Sequence, residues 1–186
     1  MLDTVERLMV TEGYASVSYR SVAAGAGVTS GLVQYYFPAL DDLLEAAVRR
    51  RAEENLERLV AALAQRPDEP LHVIWESSRE EASAVLMTEF LALGNHRKSI
   101  RAVIAEVSER SRQVQVKALR AAGVGRDHGL RPEDIAFLAN GIPKIVGLEA
   151  GAGLATRHDA VVKTCEKYVA VLEPGRPGRR RTRPAG

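Results

Sequence analysis

Ser18-Tyr19-Arg20-Ser21-Val22-Ala23-Ala24-Gly25-Ala26-Gly27-Val28-Thr29-Ser30-Gly31-Leu32-Val33-Gln34-Tyr35-Tyr36-Phe37 is the stretch whose reading decides the fold. Ser18 is a preferred N-cap, set before a short helical run that carries Val22, Ala23 and Ala26. Gly27 supplies the left-handed residue that ends a helix in a tight turn, and Val28 plugs the corner. Thr29 is a second N-cap. The spacing then predicts a helix over about Ser30 to Tyr36, with Val33 and Phe37 facing inward. Two short helices joined by a glycine turn, with small residues where they cross, predict a helix-turn-helix.

The second helix of such a pair can enter the major groove of DNA by its N-terminal end. Its outward residues would be Thr29, Ser30, Gly31, Gln34 and Tyr35. Gln34 can donate to and accept from an adenine edge. Thr29 and Ser30 are short enough to reach phosphate or base, and Gly31 lets the backbone approach closely. Tyr35 and Tyr36 can hydrogen-bond phosphates and pack on sugars. Ser18 and Arg20, at the start of the preceding helix, complete the expected DNA-binding set. Plainer readings stand beside these: Thr29 as a cap alone, and Tyr36 and Phe37 as core.

Outward from this stretch, helical spacing runs through the chain and sustained period-two alternation is absent. Leu2, Val5, Leu8 and Met9 form a stripe closed by Gly13. A long stripe from Leu43 to Leu63 ends before Pro67 and Pro70, which cannot continue a helix. Nearly every residue from Ala82 to Leu93 is apolar, which predicts a helix buried on most sides. Further stripes run from Ile100 to Ala121, from Pro132 to Gly153 and from His158 to Leu172. The expectation is an all-α protein with a three-helix head and a larger helical body. The head spans 1–42, the larger helical body 43–173, and a disordered arginine-rich tail 174–186.

The 186 residues suffice for a sizeable core, and 46% hydrophobic with 27% charged residues is ordinary for a globular protein. A single cysteine, Cys165, excludes an internal disulfide framework. His72, His96, His128 and His158 have no metal-ligand spacing, and neither a metal nor a cofactor is implied. No apolar run is long enough to span a bilayer and no signal layout opens the chain, so a cytoplasmic protein without a membrane partner is expected. The net charge of +2 belongs to the tail, where five arginines stand between Pro174 and Gly186 without an acid. From Met1 to Val48 two basic residues, Arg7 and Arg20, face six acidic ones.

Val22-Ala23, Ala26-Gly27-Val28-Thr29, Gly31, Tyr36-Phe37 and Asp41-Asp42-Leu43-Leu44 resemble the N-terminal signature of the TetR family of transcriptional regulators. The resemblance covers about a quarter of the chain. It implies a three-helix DNA-binding head, a linking fourth helix, and a helical body that binds a small-molecule effector and forms a homodimer on a palindromic double-stranded operator. Repression is implied by the resemblance alone. Three positions depart from the pattern. Leu40 stands where the family has a phosphate-contacting lysine, Gln34 where it commonly has tyrosine, and no basic arm precedes the first helix. Because phosphate neutralisation supplies much of DNA affinity, either weak binding or help from Arg49, Arg50 and Arg51, or from the tail, is expected.

In the body, Trp75, Met87, Phe90 and Leu91, with Ile104, Phe137 and Ile142, are candidates for a ligand cavity between helices; an ordinary core is the plainer reading. Glu89 faces a ligand, solvent or an arginine. The segment Asn95-His96-Arg97-Lys98 is a solvated connection or a polar pocket edge. Pro143 should kink its helix. Gly147 and Gly151 share a face that would admit another helix, and with Ile145, Val161, Cys165 and Tyr168 they form the expected dimer interface. Two rivals remain: a helical adaptor that has lost DNA binding, and a helical enzyme. No phosphate loop, nucleophile elbow or paired-histidine motif supports an enzyme.

Overall fold

The computed structural model describes residues 1–80 and 84–173. The expected disordered tail, and the first two residues of the helix expected from Ala82, lie outside the described residues. Within them the protein is all-α: α1 (Leu2–Glu12), α2 (Tyr19–Ala26), α3 (Ser30–Tyr36), α4 (Leu40–Gln65), α5 (Pro70–Glu80), α6 (Ala84–His96), α7 (Lys98–Ala122), α8 (Pro132–Gly151) and α9 (His158–Leu172). Among the described residues no helix is long and apolar enough to cross a membrane.

Local chemistry fixes the short helices. Ser18 accepts from the backbone N–H of Ser21 (3.1 Å) while the Ser21 hydroxyl accepts from the N–H of Ser18 (2.9 Å), a reciprocal cap. Gly27 closes α2 at φ 68°, a conformation costly for any residue with a Cβ. Thr29 caps α3 by accepting from the N–H of Leu32 at 3.3 Å. At the start of α4 the Asp42 carboxylate reaches back to the N–H of Ala39 at 2.9 Å.

Two hydrophobic cores hold the molecule. The first joins Val5, Leu8 and Met9 of α1, Val22 of α2, Val33 of α3 and Leu43, Leu44, Ala47 and Val48 of α4 to Leu86, Phe90 and Leu93 of α6 and Ile100 and Val103 of α7. Each large side chain buried there contributes about 1.5–3 kcal/mol. The second joins Leu59 and Leu63 of α4, Leu71, Val73, Ile74 and Trp75 of α5, Leu119 of α7, Ile135, Ala136 and Ala139 of α8, and Val169 of α9. Helix α4, 26 residues and about 39 Å long at 1.5 Å per residue, serves both. The first core is shared between the two ends of the chain's expected division, because the first half of α7 and part of α6 pack beneath α1–α4. From 86 to 94 the side chains of α6 are buried or partly buried, Leu86, Phe90 and Leu93 fully, and Leu91 alone among them is exposed, so the described part of this helix is enclosed on most sides as expected.

The far end of the body is built on α8 and α9. Pro132 opens α8, and Pro143 lies inside it, buried, where it cannot donate the usual helical hydrogen bond. Helix α9 buries only Val169 among its described side chains. Its C-terminal end is pinned by Glu173, whose buried carboxylate accepts from the N–H groups of Leu71 (2.8 Å) and His72 (2.9 Å) and lies 2.7 Å from Nδ1 of His72.

Candidate nucleic-acid interface

Helix α3 buries a single side chain, Val33, and turns the rest of its surface outward. Ser30, Gly31, Gln34, Tyr35 and Tyr36 are exposed on it, and Thr29 is exposed at its leading end. Ser18 and Arg20 are exposed at the start of α2. All eight residues expected to meet DNA thus lie on the outside of the α2–turn–α3 unit. Tyr35 is 78% and Tyr36 61% exposed, with their rings in an edge contact 5.3 Å apart. Phe37, by contrast, packs against the first core. Nothing lies within 4 Å of where a Cβ on Gly31 would stand, so the α3 backbone is open to close approach from outside. Thr29 serves as a cap, yet its hydroxyl hydrogen remains free to donate.

One residue that the sequence reading did not single out fixes the trailing end of α3. The Tyr19 hydroxyl bonds to the carbonyls of Phe37 (2.9 Å) and Pro38 (3.0 Å), tying the start of α2 to the end of α3. A tyrosine in an uncharged stretch needs such a partner when its ring is half buried.

Arg49, Arg50 and Arg51 do not supplement the reading face. Arg49 forms a two-bond pair with Glu106 of α7, both bonds at 2.9 Å. Arg50 pairs with Asp3 (2.6 Å) and with the buried Glu6 (3.0 Å), and Arg51 also pairs with Glu6. These arginines hold α1 and α7 to α4, because Glu6 sits inside and a buried carboxylate requires a cation. Arg20 and Arg7 remain as the exposed cations of the head.

The head is joined to the body by a polar seam at the α6–α7 corner. Glu89 of α6 accepts from the N–H of Tyr14 at 2.6 Å, so it faces neither a ligand nor an arginine. The Tyr14 ring stacks near His96, with centroids 6.2 Å apart. Asp41, in the first turn of α4, pairs with Arg97 and accepts from the Ser99 hydroxyl at 3.1 Å. In the segment 95–98, Arg97 docks against the head while Asn95, His96 and Lys98 are exposed, as a solvated connection requires.

Between α4, α6, α7 and α8 lies a cleft of about 390 Å³. Of the residues expected to line a cavity, Met87 and Phe137 are found there, and so is Ile145, expected at the dimer interface. Trp75 and Phe90 lie instead in the second and first cores, Ile104 and Ile142 pack at the core margins, and Leu91 is exposed. Helical spacing reports which face is apolar, not where a void is left. Beyond the cleft, whose rim includes the exposed Ile145, α8 and α9 expose Leu138, Leu148, Val161, Tyr168 and Val171. Gly151 is exposed and Gly147 half buried on the same side of α8, and Cys165 packs partly against the second core. Burial pushes the Cys165 thiol above its ordinary range, helped by neighbouring Glu166.

Residues 1–47 match the family model described as bacterial regulatory proteins, tetR family. No curated protein sequence matches the chain. Among solved structures, a transcriptional regulator from Rhodococcus sp. Rha1 is 18% identical, with 94% of each chain covered and a TM-score of 0.75. A TetR transcription regulator from Haloarcula marismortui is 16% identical, covering 92% of this chain and 95% of its own at a TM-score of 0.71. A Saccharomonospora viridis protein crystallised with choline is 18% identical, with 96% of each chain covered and a TM-score of 0.67. At these identities the likeness concerns the fold.

Proposed function

Taking as premise that residues 1–47 are a TetR-family helix-turn-helix domain on a TetR-type helical frame, we propose a homodimeric, cytoplasmic transcriptional repressor that binds a palindromic operator and releases it when a small molecule occupies the body. The exposed reading face of α3 carries this reading: two adjacent tyrosine rings, a glutamine and two hydroxyl residues project from a helix whose one inward residue is fully buried. A surface of hydrogen-bonding side chains on a rigid short helix is suited to base edges and phosphates. Residues 1–42 act as the reading head, and 43–173 as the sensing and pairing body. The apolar face of α8 and α9 favours a homodimer, since two-fold symmetry of the protein mirrors that of the operator.

The cleft favours an effector that acts from the α4–α7 side. Its walls belong to α4 and α7, which carry the Arg49–Glu106 and Arg110–Glu53 pairs (2.9 Å each), and to α6, which carries Glu89 beneath the head. A ligand that binds the two arrangements of these helices unequally shifts the heads relative to one another. The choline seen in the Saccharomonospora viridis protein does not transfer to this cleft, whose lining among the described residues has one aromatic ring and no carboxylate to face a quaternary ammonium. No enzymatic step is assigned.

Fluorescence anisotropy with duplexes from the protein's own promoter region tests the reading. Salt-sensitive binding to one duplex well above random DNA is expected. Failure to bind any duplex at low salt would favour the adaptor, and turnover of a metabolite the enzyme.

A further inference from the structure

The α4–α6–α7–α8 cleft has a chemistry of its own. Its floor is an amide network. Asn140 donates to Gln115 Oε1 and to the Ala136 carbonyl, each at 2.6 Å, and its Oδ1 accepts from the Ser78 hydroxyl at 2.8 Å. Gln115, buried to 5% exposure, donates back to Asn140 at 3.3 Å and to Ser111 at 3.4 Å. These amides are nearly saturated, so they shape the floor and leave little capacity for a ligand. Leu56, Met87, Val107, Phe137 and Ile145 make the walls apolar.

What capacity remains lies on the donor side. The Ser111 hydroxyl accepts from Gln115 and keeps its own hydrogen. Among the described residues the Ser108 side chain has no hydrogen bond and Lys144 no ion pair. Arg112 has only a long, exposed contact with Glu109 (3.8 Å), a kind of pair worth little in water. The helices α7 and α8 run antiparallel here, as the Arg120–Glu133 and Gln115–Asn140 pairs require. One turn further along, Lys144 therefore comes opposite Ser111 and Arg112. Among the described residues no aspartate or glutamate lines the cleft.

We infer that this cleft binds a small organic anion with an apolar body, its carboxylate or equivalent held by Lys144 and Arg112 and its hydrocarbon part laid over the amide floor. The inference rests on the reading of the cleft as the effector site and assigns that effector its chemical class. The volume lies within the usual range for metabolite-sized ligands.

Octanoate, octanol and octyltrimethylammonium are suitable probes, titrated into the full chain. Trp75 is the single tryptophan, one helical turn from the Ser78 that bonds the floor, so its emission reports on the cleft. Thermal unfolding gives a second readout. Octanoate should bind and raise the melting temperature, with octanol and the cation weaker by about tenfold or more. Lys144→Gln should weaken octanoate about tenfold, leave octanol unchanged, and be rescued by Lys144→Arg. Lys144 is exposed, so folding is not at stake. The inference is overturned if octanoate does not bind, if octanol or the cation binds as tightly, or if Lys144→Gln retains full affinity. Octanoate binding that leaves DNA affinity unchanged supports the anion site and removes its regulatory role, which separates the two claims.

Discussion

Gln34 and Arg20 represent two kinds of contact, and substitution should separate them. Gln34→Ala should relax base preference, because a side chain that both donates and accepts is lost from the reading face. Arg20→Ala should weaken binding to all sequences and reduce the slope of log affinity against log salt by about one. Equal, equally salt-dependent affinity of wild type and both variants for specific and random duplexes would refute the assignment. Tyr19→Phe removes two hydrogen bonds to the end of α3. It should cost about 1 kcal/mol in urea unfolding and lower operator affinity, whereas an unchanged urea midpoint would mean that α3 is held by Val33 alone. At this scale the caps were legible, since Ser18, Gly27 and Thr29 act on groups a few residues away. The arginines 49–51 were not. Their partners Asp3, Glu6 and Glu106 lie more than forty residues off, and only the folded chain reveals that these cations are already engaged.

Between helices, close approach and charge give two further tests. A Cβ on Gly25 would stand 2.5 Å from Cγ2 of Thr4, a buried residue of α1 with no room to retreat. Gly25→Ala should therefore destabilise by about 1–3 kcal/mol despite the better helix propensity of alanine, and a gain in melting temperature would contradict this packing. The α4–α7 strut has a pH signature. The hydrogen bonds from Arg49 hold the Glu106 carboxyl below its ordinary range. A depressed carboxyl stabilises the fold above its unfolded value of about 4.3, and the contribution disappears as pH falls through the lower folded value. Glu106→Gln should lower the urea midpoint slightly at pH 7 and match wild type under acid; a deficit that persists in acid would assign Glu106 a role other than its charge. The short and long helices were readable from periodicity, and α3 begins and ends where its caps and spacing put it. The cleft was not, because Trp75 and Phe90 share the same spacing as Met87 and Phe137 yet pack solid.

For the whole molecule, the apolar face that α8 and α9 expose among the described residues bears on assembly. Tyr168, 65% exposed there, lies on α9, which buries little of its own. Tyr168→Glu should shift sedimentation from dimer toward monomer and weaken operator binding by about a hundredfold or more, since two linked heads gain effective concentration that one cannot. A variant that stays dimeric would move the interface elsewhere. The first core also bears on how this regulator could be re-engineered. Its reading unit rests on Leu86, Phe90, Leu93, Ile100 and Val103, side chains supplied by α6 and α7. A chimera that transplanted residues 1–47 alone onto a foreign chassis would strip that underside bare. A functional graft would have to carry the corner around Arg97, or redesign the recipient's matching surface, for specificity and sensing to be exchanged as separate modules.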